Sequence, residues 1–161
     1  MRPILTIGLA GVATAFLVDQ LSKSIIVANK ASLTPSVSVF PGFNLTYLQN
    51  SGVSFGLLGE APWFVLVGLA LAVCVWLSVL LIRAESRFEA LAYGMIIGGA
   101  LGNVTDRLRY RAVTDFLHFY FRAAHWPSFN MADVFVVGGV GLLLLSPWLA
   151  ARHAGSSKSR I

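Results

Sequence analysis

The sequence predicts an all-α membrane protein: four transmembrane helices with a small sheet at one end. Three observations lead there. Hydrophobic residues make up 57% of the 161-residue chain, charged residues only 12%, and the mean hydropathy is +0.75. About 20 apolar residues suffice to cross a bilayer core, and residues 61–82 carry no charge while 131–151 carry only Asp133, near the start. The remaining polar residues collect between the apolar stretches instead of spreading along them.

Residues 4–18 are apolar and continue as a helix through Asp19-Gln20-Leu21-Ser22-Lys23 to about residue 28. Met1-Arg2-Pro3 before an apolar stretch has the look of a signal peptide, but the apolar stretch runs on past any small-residue cleavage site, so an uncleaved first span is expected. In the connection that follows, Phe43, Leu45 and Tyr47 alternate with Asn44 and Thr46, a period-two strand pattern, and Asn50-Ser51-Gly52 reads as a turn. Such a strand either rests on the membrane surface as part of a small sheet or lends backbone hydrogen bonds to an extended peptide.

Residues 61–82 form the second span, and Arg83, Glu85, Arg87 and Glu89 a short charged cap after it. The third span, about 89–106, holds glycines at 94, 98 and 102, a small-xxx-small ladder that lets a neighbouring helix approach closely. Val113–Phe121 is again strand-like, and Phe116, Phe119, Tyr120, Phe121, Trp126 and Phe129 suit an interfacial aromatic belt. The fourth span is about 131–151, and the whole of residues 1–161 reads as one domain.

The net charge of +5 does not point to nucleic acid, because the basic residues are scattered and Arg152, Lys158 and Arg160 form a membrane-flanking tail. Lys and Arg divide evenly between the two sides of a four-span topology. Setting aside Lys23 and Arg107, which sit in polar motifs, places both termini in the cytoplasm. Cys74, the sole cysteine, lies mid-span, which excludes an internal disulfide and makes it a packing residue. His118 and His125 read as interfacial side chains, and no His/Cys spacing suggests zinc or another cofactor. Gly52, Gly56 and Gly59 follow no strand–helix pattern and carry little weight for a nucleotide.

Four alternating spans put connections 1–2 and 3–4 on one side. Asp19, Lys23, Asn50, Asn103, Asp106, Arg107, Asp115, Asn130 and Asp133 all fall there. Asp19 and Lys23, four apart, form an ion pair on one helical face, structural in its plainer reading. Asn103 and Arg107, also four apart, point into the bundle, in an architectural or a chemical role. No Ser–His–Asp set is persuasive. Of the chain's four aspartates, Asp115 and Asp133 flank the last connection. Two carboxylates sharing one proton can act as acid and base on water, the requirement for amide hydrolysis. A proton-coupled transporter is the competing class, but its charges belong near the midplane, often in repeated halves, and no internal repeat is visible. A scaffold subunit would leave the two aspartates without a purpose.

Five motifs in order resemble the bacterial lipoprotein signal peptidase family, signal peptidase II. They are Asp19-Gln20-x-x-Lys23, Asn50-x-Gly52-x-x-Phe55-Gly56, Gly98-Gly99-Ala100-x-Gly102-Asn103-x-x-Asp106-Arg107, Val113-x-Asp115-Phe116 and Phe129-Asn130-x-Ala132-Asp133. The resemblance spans about residues 15–140; Ser54 stands where the family often carries alanine, and the tail after residue 151 carries no family signal. It implies an aspartic endopeptidase of the bacterial cytoplasmic (inner) membrane, active at the extracytoplasmic face. Such an enzyme cuts the signal peptide from diacylglyceryl-modified prolipoproteins just before the lipidated cysteine. It further implies Asp115 and Asp133 as the catalytic pair. Asn50, Gly99, Asn103, Arg107, Asn130 and Ala132 would line or shape the substrate site, supported by Asp19 and Lys23. The family needs no metal, is inhibited by globomycin, and adds a short helix lying on the membrane. Membrane lipid is the expected surrounding, and a monomer the simplest state.

Overall fold

The computed structural model describes residues 3–52 and 61–158, with side chains described as far as Ser146. Phe55, Gly56, Gly59, Ser54 and Arg2 lie outside the described residues, as do Arg160 and the side chains of Arg152 and Lys158. The elements run α1 (Pro3–Ala28), β1 (Val37–Phe40), β2 (Phe43–Asn50), α2 (Trp63–Arg83), α3 (Arg87–Tyr110), β3 (Val113–Phe121), β4 (Ala124–His125) and α4 (Met131–Lys158). The fold is thus four helices and a small antiparallel sheet ordered β1-β2-β3-β4.

By length and composition α1 and α2 are apolar enough to cross a membrane, and Met131–Ser146 of α4 is a shorter apolar stretch. Glycine, Asp106 and three arginines dilute the hydropathy of α3. That composition follows from its position, since α3 packs against α1, α4 and α2. Along α2 the buried Val67, Cys74, Leu77 and Leu81 make one stripe at helical spacing, while Val75, Trp76 and Ile82 point outward. Cys74 is therefore a packing residue.

The glycine ladder of α3 meets α1. A β-carbon at Gly94 would run into the carbonyl of Gly8, and one at Gly98 into the carbonyl of Val12 and the Ala15 Cβ. Backbone thus lies on backbone where these helices cross, as small-residue contacts permit. Ser86 begins α3, its hydroxyl accepting a hydrogen bond from Phe88 N, and Arg111 ends it in the left-handed region (φ 58°), its N–H donating to Arg107 O at 2.9 Å.

Strand β2 is part of a small sheet, between β1 and β3, and its Tyr47 N–H donates to Leu33 O. One expectation is corrected. Phe116 is not part of an exposed belt. It packs with Ile26 and Leu33 under the sheet, while Phe119, Phe121 and Trp126 are exposed. Among the described residues there is no separate short helix, and residues 53–60 lie outside them. Residues 29–36 form turns held by hydrogen bonds such as Ser32 N to Asn29 O and Thr34 Oγ1 to Lys30 O.

Candidate active site

Asp115 is the third residue of β3, and Asn50 is the last residue of β2. The register pairs Asn50 with Val113 and Leu48 with Asp115 after an irregularity between Leu45 and Leu48. Asn50 and Asp115 are therefore diagonal neighbours on one face, within reach of polar side chains. Asn50 Nδ2 donates to Asp115 Oδ2 at 2.9 Å, and Asn50 Oδ1 accepts from Gly52 N at 3.1 Å, an Asx turn.

Asp133 stands in the first turn of α4, whose start is built by Asn130. The Asn130 Oδ1 accepts from Asp133 N, and Asp133 Oδ2 accepts from Asn130 N, both at 3.2 Å. This is the reciprocal arrangement of a capping box, with aspartate in the glutamate position. Because its carbonyl oxygen is used in the cap, the amide nitrogen of Asn130 is left to point away, and it donates to Asp115 Oδ1 at 2.6 Å. One fully buried asparagine thus touches both aspartates.

Behind them runs a buried polar chain. Lys23 Nζ sits 2.8 Å from Asp19 Oδ2, the four-apart ion pair, and 3.5 Å from Asp106 Oδ2. It also donates to Asn103 Oδ1 at 2.8 Å, which turns the Asn103 amide nitrogen toward Asp133 Oδ1 at 3.0 Å. Asp19 Oδ1 accepts from Ala132 N at 2.8 Å, satisfying one of the orphan amides at the head of α4. Ala132 is fully buried, and a β-carbon at Gly99 would meet its carbonyl, so this glycine lets α3 and α4 close on each other. Arg107 Nη1 and Nη2 donate to Asn103 O and Gly52 O, each at 3.5 Å, so that it ties α3 to the turn after Asn50.

All the anticipated site residues thus gather at one end of the helices. Asn50, Asn103, Arg107, Asp115 and Asp133 line one cavity of about 750 Å³, whose other walls are apolar side chains such as Trp126 and Val137. Gly99, Ala132, Asp19, Lys23 and Asn130 stand behind that wall. Sequence reasoning placed Asp106 at this end but gave no role to it, to Gln20 or to Thr114. Gln20 Nε2 donates to Asp19 Oδ2 at 3.1 Å and Asp106 Oδ1 at 3.4 Å, and Thr114 N donates to Asp106 Oδ2 at 2.9 Å. The three-residue step from Asn103 to Asp106, which puts both on one helical face, was the available signal.

Burial pushes the Asp115 carboxyl up from 3.8 to about 6. The Asn50 and Asn130 amides and the charge of Lys23 restrain the rise, while the charge of Asp133 adds to it. The shift brings its titration toward neutrality, the direction an acid–base role requires. Among the described residues no group of three or more His, Cys, Asp or Glu is disposed to hold a metal ion. His118 and His125 instead stack, with Nε2 and Nδ1 3.2 Å apart.

The same arrangement of elements occurs in known proteins. A bacterial membrane enzyme solved by the in meso method at 2.3 Å resolution superimposes with a TM-score of 0.77 at 25% identity, covering 89% of this chain and 88% of that one. The lipoprotein signal peptidase of Aeromonas hydrophila is 44% identical over 138 residues, 81% of each chain. That of Yersinia pestis is 41% identical over 158 residues, 92% of each. The family model for signal peptidase (SPase) II matches residues 12–149. With both aspartates, the asparagine that links them and the lysine behind them inside that match, the chain belongs to the signal peptidase II family.

Proposed function

We propose that this chain is a membrane-embedded aspartic endopeptidase that removes the signal peptide from diacylglyceryl-modified prolipoproteins just before the lipidated cysteine. The observation that carries the mechanism is Asn130, which holds Asp115 at 2.6 Å through its side chain while its own cap holds Asp133 at the same cavity wall. In this reading Asp115 starts as the acid and Asp133 acts as the base toward water. A water between them gives a proton to Asp133 as its oxygen attacks the scissile carbonyl carbon. Asp115 then donates its proton to the carbonyl oxygen. On collapse of the tetrahedral intermediate the C–N bond breaks, Asp133 delivers its proton to the leaving nitrogen, and Asp115 recovers its own. Asn50 and Arg107 hold the sheet and turn that form one side of the cavity.

The four helices all span the bilayer in this reading, as a single domain. The surface supports it, being the reverse of a soluble protein's: Val75, Trp76, Val137 and Leu144 are more than 60% exposed, whereas Asp19, Lys23, Asp106 and Asp115 are buried. The cavity then opens at the extracytoplasmic face of the bacterial inner membrane, with both termini cytoplasmic. The substrate's signal helix lies in lipid beside the apolar wall of α4, and its scissile bond reaches the aspartates at the interface. The enzyme acts as a monomer without cofactor, and globomycin competes for this cavity.

The test is cleavage of a diacylglyceryl-modified prolipoprotein by purified protein in detergent. Asp115→Asn and Asp133→Asn should each lower kcat by about 10⁴-fold or more while remaining folded. Near-normal cleavage by either folded variant would remove that aspartate from the mechanism.

A further inference from the structure

We propose that Asp106 is a positioning residue for Asp115, acting through the Thr114 backbone amide. The inference rests on the aspartic-pair reading above and adds a residue to it. Asp106 does not line the cavity, so it cannot touch substrate there. It is 2% exposed, and its Oδ2 accepts from Thr114 N at 2.9 Å, the amide immediately before Asp115.

A plainer role, neutralising Lys23, does not account for it. Asp19 already pairs with Lys23 at the closer distance, 2.8 Å against 3.5 Å. A second buried carboxylate beside that pair costs free energy unless its oxygens are used. One of them is used on the strand. The chain turns back at Arg111, whose left-handed backbone ends α3, and Asp106 clamps the returning strand to the helix it has just left.

The same helix face also serves the other aspartate. Asn103, three residues before Asp106, donates to Asp133 Oδ1 at 3.0 Å, and Lys23 touches both Asn103 and Asp106. Helix α3 therefore sets both carboxylates from two positions three residues apart, joined by one ammonium. A displacement of about 1 Å in such a pair is enough to cost on the order of 100-fold in rate.

The experiment measures kcat and KM for a diacylglyceryl-modified prolipoprotein with Asp106→Ala, Asp106→Asn and Asp115→Asn, together with the folded fraction and amide hydrogen exchange at Thr114. Asp106→Ala should lower kcat about 100-fold with KM within about threefold, and speed exchange at Thr114. Asp106→Asn keeps an acceptor oxygen for that amide and should recover to within about tenfold of the parent. Wild-type kcat in folded Asp106→Ala would overturn the proposal, as would Asp106→Asn no better than Asp106→Ala at equal folded fraction. If Asp106→Ala does not fold, Asp106→Asn decides alone: substantial kcat with protected Thr114 supports the clamp, and loss of both sinks it. Activity in Asp115→Asn would instead remove the aspartic-pair reading on which this one rests.

Discussion

The two ends of the α1–α3 contact are packed by opposite chemistry. Toward the start of α1, Gly8, Gly11 and Val12 lie against Gly94 and Gly98 with backbone facing backbone and no charge between them. Two turns further on, Asp19 and Lys23 face Gly102, Asn103 and Asp106 in a buried polar chain. The first half brings the helices close, and the second uses that closeness. At Gly102 the space a β-carbon would occupy is taken by the Asp19 carboxylate. The apolar crossing therefore sets the distance at which the polar groups meet, and a site built on hydrogen bonds of 2.6–3.5 Å depends on glycines that carry no chemistry.

The largest expected effect breaks the polar half. Lys23→Met leaves Asp19 and Asp106 buried without their cation, and removing one partner of a buried pair costs about 3–5 kcal/mol. Thermal unfolding in detergent measures it. A double variant, Asp19→Asn with Lys23→Met, should recover part of the loss, because one of the two stranded charges goes with it. Equal stability of Lys23→Met and parent would mean that the chain is not electrostatically coupled.

The next effect breaks the apolar half. Gly98→Val drives a branched side chain against the Val12 carbonyl and the Ala15 Cβ, 2.8 Å from an added β-carbon. Overpacking of that kind costs about 1–3 kcal/mol. Gly68 of α2 has no atom within 4 Å of an added β-carbon, so Gly68→Ala is expected to be neutral or stabilising by up to about 1 kcal/mol. The comparison also has a sharper form. Gly98→Val should lower cleavage although it touches no residue of the cavity wall, and Gly68→Ala should not.

How much of this was legible follows the same division. Helix bodies are written locally, in apolar runs, and strand β2 in the alternation of Phe43, Leu45 and Tyr47, so these elements were found, although α4 runs to Lys158, well past the apolar run that ends at about residue 151. The gathering of Asp115, Asp133, Asn50 and Asn103 at one end followed from the alternation of directions alone. Partners were not legible. The 94–98–102 ladder announces a close approach but not that α1 makes it, since spacing defines a face and says nothing of what covers it. Phe116 looked interfacial among its aromatic neighbours, yet the first four residues of β3 are covered on both faces, and it packs inward with Ile26. The clamp from Asp106 to Thr114 depends on a tight reversal at Arg111, a left-handed residue that no glycine or asparagine advertised.

The smallest effect sharpens the comparison at the aspartates themselves. Asp115 is raised to about 6 by burial, while the amides of Asn50 and Asn130 favour its ionised form. A raised carboxyl contributes stability that is fully present below 3.8 and is lost as pH rises through about 6. The same proton is the one the proposed mechanism needs on Asp115, so the alkaline limb of kcat/KM should fall as it leaves. Asn130 also caps α4, and removing it would mix two effects. Asn50 holds the Gly52 amide instead of a helix cap, and its loss is the smaller perturbation. Asn50→Ala removes a hydrogen bond to the carboxylate and should move the alkaline limb to higher pH, with the unfolding midpoint near pH 5 little changed. A limb that stays in place would mean that a group other than Asp115 sets it, and the proton would then have to be assigned to the pair as a whole.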